Sequence, residues 1–191
     1  MMPLIIVEGC DNVGKNFLIN RLIKDKKNVI IRHFSNPKGE TDKEKIEFQK
    51  EDFLDEFRNQ LSRRDLTKTD SDVYVWNRSH IGEWVYGKIY RNYDSNWIFN
   101  MEKSFAFDKK TDIFLVLLDA DAEFTLQNDD GLSFTTNLER RKYEIQRFHE
   151  VFDKSNIRNK IKIKVNIDSS FKNIEDIHEE LLNFIRTSSN K

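Results

Sequence analysis

Cysteine occurs once, at Cys10, and proline only twice in a chain of 191 residues. One cysteine excludes an intrachain disulfide framework and a cysteine-based zinc site, which suits a reducing compartment. Cys10 itself reads as a small filler rather than a nucleophile. A formal net charge of -1 leaves no surface excess to attract nucleic acid, so no nucleic-acid partner is required and a small-molecule substrate fits better. The opening M-M-P-L-I-I-V-E-G has no basic segment followed by a long apolar run. Neither a signal peptide nor a membrane span is expected, and the expected location is the cytoplasm. No Pro/Gly/Ser-rich linker, internal repeat or low-complexity tract divides the chain, so one domain is expected over 1–191.

What is present is organised around residues 4–17, L-I-I-V-E-G-C-D-N-V-G-K-N-F. Leu4 to Val7 read as a short strand buried on both faces, followed by a glycine-bounded loop and then a helical pattern. Gly9 and Gly14 stand at the ends of a G-x-x-x-x-G-K spacing, where missing side chains let backbone N–H groups converge on phosphate oxygens. The helix starting near Lys15 adds its positive end, and the Lys15 ammonium can reach the outer phosphates of a nucleoside triphosphate. Asn16 stands where this pattern carries a Ser or Thr that ligates magnesium. Its amide oxygen is also a hard ligand, but a bulkier one set further from the backbone.

Downstream, Phe17, Leu18, Leu22 and Ile23 recur at helical spacing, and Val29 to Ile31 form a second strand. The segment R-H-F-S-N-P-K-G follows, with Pro37 and Gly39 as turn formers. Ligands in open parallel sheets sit beyond the carboxyl ends of strands, so His33 to Lys38 should border the loop's crevice. Phe34 suits either core packing or base stacking. A long helix spans Thr41 to Arg64, with Ile46, Phe53, Leu54, Phe57 and Leu61 on one face and Arg63 and Arg64 at its end. The third strand, D-V-Y-V-W, leads into N-R-S-H-I-G-E-W-V-Y-G. There Arg78 is placed to bridge phosphates with its planar fork, and Glu83 and Tyr86 fall one helical turn apart. A buried Glu83 needs a partner, either an arginine or a substrate base. A helical patch over Trp97–Phe107 precedes a central strand over Asp112–Leu118, which ends at Asp119. Residues Asp121 to Thr136 read as a polar, turn-rich stretch, and Asn137 to Phe152 as a helix. Arg140, Arg141 and Arg147 either close over phosphates from this lid region, about 120–142, or pair with Glu139, Glu144 and Glu150 on the surface. A strand over Ile161–Ile167 and a helix through Ile174, Ile177, Leu181 and Ile185 complete five strands separated by helices. The expectation is an α/β three-layer fold with a five-stranded parallel sheet and flanking helices.

E-G-C-D-N-V-G-K resembles the E-G-x-D-x-x-G-K of the thymidylate-kinase-like branch of P-loop nucleoside and nucleotide kinases. H-F-S-N-P is similar to that branch's acceptor loop, N-R-S-x-x-x-E-x-V-Y to its D-R motif, and E-R-R-K-Y-E-I-Q-R-F-H-E-V-F to the helix after its lid. The resemblance spans roughly residues 4 to 155 and implies a P-loop NTPase fold, ATP and Mg2+ as cofactors, and a homodimer. The implied reaction is phosphoryl transfer to a (deoxy)nucleoside monophosphate, a pyrimidine such as dTMP or a modified analogue. A deoxynucleoside kinase and a degenerate, non-catalytic nucleotide-binding module are the alternatives. By resemblance ATP meets Gly9, Cys10, Asn12, Val13, Gly14, Lys15, Asn16 and Phe17, while Lys15, Arg78, Arg140 and Arg141 act on the migrating phosphoryl group. The acceptor meets Glu8, Asp11, Phe34, Pro37, Arg78, Glu83 and Tyr86, with Asp11 on the sugar 3′ hydroxyl; Asn16, Asn77 and Asp119 are the candidate metal ligands. Asn16 and Asn77 replace the usual hydroxyl residue and acid, which bears on magnesium. Gly87 replaces a base-reading glutamine, which bears on thymine specificity, whereas Glu83 matches an acid that reads the base in deoxynucleoside kinases.

Overall fold

The run L-I-I-V-E becomes β1 (Leu4–Glu8), buried along its whole length because strands pair with it on both edges. The computed structural model describes residues 3–25, 28–34, 36–66, 72–110 and 112–189. Within these, β2 (Asn28–His33), β3 (Asp72–Asn77), β4 (Ile113–Asp119) and β5 (Asn159–Lys164) join β1 in a five-stranded parallel sheet of order β2-β3-β1-β4-β5. Apolar side chains on both faces of β1 and β4 explain their central places, and the half-exposed pattern of β2 fits an edge. Each fully buried Ile, Leu, Val or Phe there contributes about 1.5–3 kcal/mol of transfer free energy.

The chain runs from β1 past β3 to the edge strand β2, returns to β3, and then crosses to β4 on the other side of β1. That reversal opens a crevice beyond the carboxyl ends of β1 and β3, the place where such sheets bind ligands. Helices flank the sheet: α1 (Lys15–Asp25) packs with α7 (Ile174–Ser189), and α3 (His80–Tyr90) with α6 (Leu138–Lys154). The helix α2 (Asp42–Leu66) turns Phe53 and Phe57 inward, onto Phe34 and Trp76 respectively. Arg63 and Arg64, expected at its end, have side chains outside the described residues. Among the described residues no helix is long and apolar enough to cross a membrane.

Several expectations are corrected. On α1 the inward face is Leu18, Ile19 and Leu22, while Phe17 and Ile23 are exposed. The patch from Trp97 divides into α4 (Trp97–Ser104) and a 3-10 turn at Phe107–Lys109. The lid stretch begins with α5 (Ala122–Gln127), whose Ala122, Phe124 and Thr125 are buried, so only residues 128–137 form an irregular loop. The last strand stops at Lys164. The residues after it pair back as a two-stranded antiparallel hairpin, β6 (Asn166–Ile167) and β7 (Ser170–Phe171), which turns at Asp168 with φ 51°.

Candidate active site

The loop between β1 and α1 depends on two glycines. Gly9 has φ 141°, and a Cβ there would lie 2.5 Å from the Leu118 carbonyl oxygen, so any side chain would push the loop off β4. Gly14, at φ 81°, delivers the chain into α1. Lys15 curls back over the loop, its Nζ donating to the carbonyl oxygens of Gly9 (2.8 Å) and Cys10 (2.6 Å). Burial, with Arg78 adding repulsion, lowers its pKa to about 8. Cys10 lies beneath the loop with its thiol pushed up to about 12, mainly by burial, which fits a filler. Asn12 adopts φ 66° and donates through Nδ2 to Ser133 Oγ (2.8 Å) and Asp129 Oδ1 (3.3 Å), tying the phosphate loop to the 128–137 loop.

Arg78 follows β3 with φ 69°, a left-handed backbone held in place by its N–H bond to the Val7 carbonyl. Its Nη2 donates to Asp11 Oδ1 at 2.6 Å and its guanidinium lies 5.6 Å from the Tyr86 ring centre. Burial opposes the charge on Arg78, but Tyr86 and Asp11 more than offset it and the guanidinium pKa is raised. Ser79 caps α3, accepting from the Ile81 N–H, while its hydroxyl donates to Glu8 Oε1 at 2.6 Å. The Gly82 N–H donates to the same Glu8 oxygen at 3.1 Å. Glu8 therefore anchors the first turn of α3 to β1; it is fully buried, with a pKa raised by desolvation.

These elements border one trench with three sections. The first, ≈ 180 Å³, is apolar and lies between Val13, Gly14, Phe17, Leu118, Phe171 and Ile177. The second, ≈ 330 Å³, holds Lys15, Asn16, Asn77, Asp130 and the loop glycine Gly14. The third, ≈ 430 Å³, is lined by Phe34, Asn36, Gln49, Glu83, Tyr86 and Arg91 among others. Gly14 and Phe17 belong to the first two sections, and Asp11, Arg78 and Leu132 to the last two. The sections thus adjoin one another, with Asp11 and Arg78 between the second and third.

In the middle section Asn77 Nδ2 donates to Asn16 Oδ1 at 2.8 Å, and the buried Asn77 Oδ1 has no hydrogen-bond partner among the described residues. An unpartnered amide oxygen is a hard ligand of the kind that suits magnesium. Among the described residues no group of three or more His, Cys, Asp or Glu is placed to hold a metal by itself. Asn16 and Asn77 thus fit magnesium as neutral ligands.

Other expected residues lie elsewhere. Asp119 accepts from His149 Nε2 at 2.8 Å and faces Lys164, on the β4–β5 side of the sheet, so it is not brought to Asn16 and Asn77. Arg141 is fully buried, donating to the Thr135 carbonyl (3.2 Å) and Glu144 (3.4 Å), and Arg140 reaches the Ile89 carbonyl while stacking on Tyr90. Arg141 thus braces the loop before α6 (Leu138–Lys154), and Arg140 ties the first turn of α6 to the end of α3. Arg147 lies over Trp84 and pairs with Glu150. Glu8 and Pro37 line none of the three sections, and Phe34 packs on Phe53 and Trp76 while bordering the third.

Glu83 finds its arginine in Arg91, whose Nη1 donates to Oε2 at 2.7 Å, while the Tyr93 hydroxyl donates to Oε1. Burial still leaves its pKa raised. Gly87 is forced by the same cluster: a Cβ would meet Tyr93 Cε2 at 2.7 Å and Ser95 Oγ at 2.8 Å. Arg91 and Tyr93 were not legible as site residues, because they stand eight and ten positions from Glu83, outside the reach of the i,i+4 pairing rule.

No protein-family model matches the sequence, and no curated protein matches it either. Solved structures do. A thymidylate kinase from Candida albicans superposes with a TM-score of 0.66 at 17% identity, covering 99% of this chain and 93% of that one. The YorR protein of Bacillus subtilis, solved in complex with phosphorylated GDP, gives 0.66 at 15% identity, covering 98% of each chain. The strand order, the glycine-bounded loop entering α1 and these superpositions together show that the chain has the thymidylate-kinase-like P-loop kinase fold.

Proposed function

We propose that the protein transfers the γ-phosphoryl group of ATP to a nucleoside monophosphate. The observation that carries this reading is the row of three adjoining sections: an apolar one for a donor base, one at the glycine-bounded loop for phosphates, and a polar one for an acceptor, with Arg78 between the last two. Phosphoryl transfer asks the protein for positioning and charge neutralisation, and the residues supply both. Loop N–H groups and Lys15 hold donor phosphates; Lys15 must give up its bonds to the Gly9 and Cys10 carbonyls to do so. Arg78, oriented by Asp11, holds the acceptor phosphate and the charge that develops as the phosphoryl group migrates. Asn16 and Asn77 would hold magnesium, which neutralises phosphate charge when bound. The 128–137 loop, tied to Asn12, excludes water from the trench.

A nucleoside acceptor would need a free carboxylate base, and the acids of the third section are already committed, Asp11 to Arg78 and Glu83 to Arg91 and Tyr93. That favours a monophosphate, with the deoxy-pyrimidine acceptor of the sequence resemblance as one candidate. The mutual hydrogen bond of Asn16 and Asn77 favours a second reading, a nucleotide-binding module without turnover. A bisubstrate analogue, two nucleosides joined through five phosphates, tests the trench. It should bind one per chain and at least about a hundredfold more tightly than ATP, since linking two subsites raises affinity through effective concentration. Affinity no better than that of ATP would defeat the two-subsite reading.

A further inference from the structure

The third section of the trench contains a built polar cluster that the phosphoryl-transfer scheme does not use. Glu83 is 6% exposed, and its two oxygens are filled by Arg91 Nη1 and the Tyr93 hydroxyl. The carboxylate therefore fixes the guanidinium. Arg91 donates through Nη1 alone, to Glu83 and, at 3.5 Å, to the Tyr93 oxygen, so among the described residues Nε and Nη2 meet no acceptor. These two groups carry parallel N–H bonds on one edge of a rigid fork, and Arg91 lines the cleft. Arg78, Glu83 and Arg91 line the same section of the cleft. With an acceptor phosphate on Arg78, the sugar and base would extend into the section that Arg91 borders.

We propose that Arg91, held by Glu83 and Tyr93, is the residue that selects the acceptor base, and that it selects bases presenting two adjacent hydrogen-bond acceptors. Guanine offers O6 and N7, and cytosine offers N3 and O2. Thymine breaks each carbonyl pair with its N3–H, and adenine places an amino group beside N7, so neither fills both donors of the fork. An unfilled donor in a half-buried site costs binding, and the fork discriminates against these bases. The crowding at Gly87 leaves no room for a base-reading side chain at that position of α3. This proposal rests on the third section being the acceptor site.

Calorimetric titration of dGMP, dCMP, dTMP and dAMP into the full chain, with ATP titrated as a separate control, tests it. Guanine and cytosine nucleotides should bind about tenfold or more tightly than thymine and adenine nucleotides, as expected for a bidentate arginine contact. Arg91→Ala should bring the four within about threefold of one another while ATP affinity stays at the parent value, which also reports that the variant is folded. Glu83→Gln should weaken the preference partway, because it loosens the fork without removing it. Tighter binding of dTMP or dAMP, or a preference unchanged in Arg91→Ala, would overturn this inference and leave the kinase reading standing. ATP binding with no binding of any of the four monophosphates would overturn both.

Discussion

Lys15→Met should stabilise the ligand-free protein while abolishing its response to nucleotide. Lys15 is 8% exposed, and burial together with Arg78 lowers its pKa from 10.5 to about 8. That fall corresponds to a penalty of about 3 kcal/mol on the charged form at neutral pH, at 1.36 kcal/mol for each tenfold change in proton affinity. Methionine matches the length of the lysine stem, removes the penalty and forfeits two hydrogen bonds to backbone carbonyls, worth about 1 kcal/mol each. The net gain is about 1 kcal/mol, or about 2–4 °C in Tm for a chain of this size. The folded pKa lies below the unfolded one, so the unfolded chain binds more protons between pH 8 and 10.5, and stability rises with pH there. The penalty is complete below pH 8, and the advantage of Lys15→Met should shrink above it. Urea denaturation of both proteins at pH 7 and pH 9.5, with and without ATP, measures each part. A variant less stable than the parent at pH 7, or an advantage that grows with pH, would refute the reasoning.

Three further outcomes are expected. Glu102, itself fully buried, accepts from His80, Ser155 and Asn156, so Glu102→Ala should cost about 3–5 kcal/mol in urea denaturation by stranding those donors. Burial pushes the Glu102 pKa up, but these bonds outweigh it and hold it below 4.5; its stabilisation should be complete above that pH and be lost as acid protonates the folded form, a loss absent from Glu102→Ala. Gly87→Gln should destabilise by about 1–3 kcal/mol through overpacking on Tyr93 and Ser95, and Tyr93→Ala in the same chain should recover part of that, read by thermal melts. Replacing Asn16 with Ser and Asn77 with Asp together should lower the magnesium concentration for half-maximal turnover by about tenfold, because an anionic ligand replaces a neutral one; an unchanged magnesium dependence would place the ion elsewhere.

The phosphate loop was legible because its requirements are local: two glycines, a lysine and a strand-to-helix order are all encoded within residues 4–17. The sheet was legible for a related reason, since β1 and β4 carry uninterrupted apolar runs that only central strands bury. Sequence spacing does not say which side of α6 faces in, so it left the lid arginines open between phosphate contact and pairing with the acids of the same helix. Arg141 is spent on Thr135 and Glu144 inside the protein, and Asp119 points across the sheet to His149. The Glu83–Arg91–Tyr93 cluster was only half legible: a buried acid demands a partner, but the partner came from beyond the end of α3. The hairpin of β6 and β7 is too short to carry a period at all.

The most direct measurement is ADP release from ATP, coupled to a spectroscopic signal, with each natural and modified nucleoside monophosphate as acceptor in the presence of magnesium. At least one acceptor should raise release well above the acceptor-free rate, and Arg78→Ala should lower that rate by about 10²–10³-fold, as removal of a group facing the developing charge does. ATP binding with no acceptor-dependent release, in magnesium or in manganese, would contradict the proposed phosphoryl transfer and leave a nucleotide-binding module in its place.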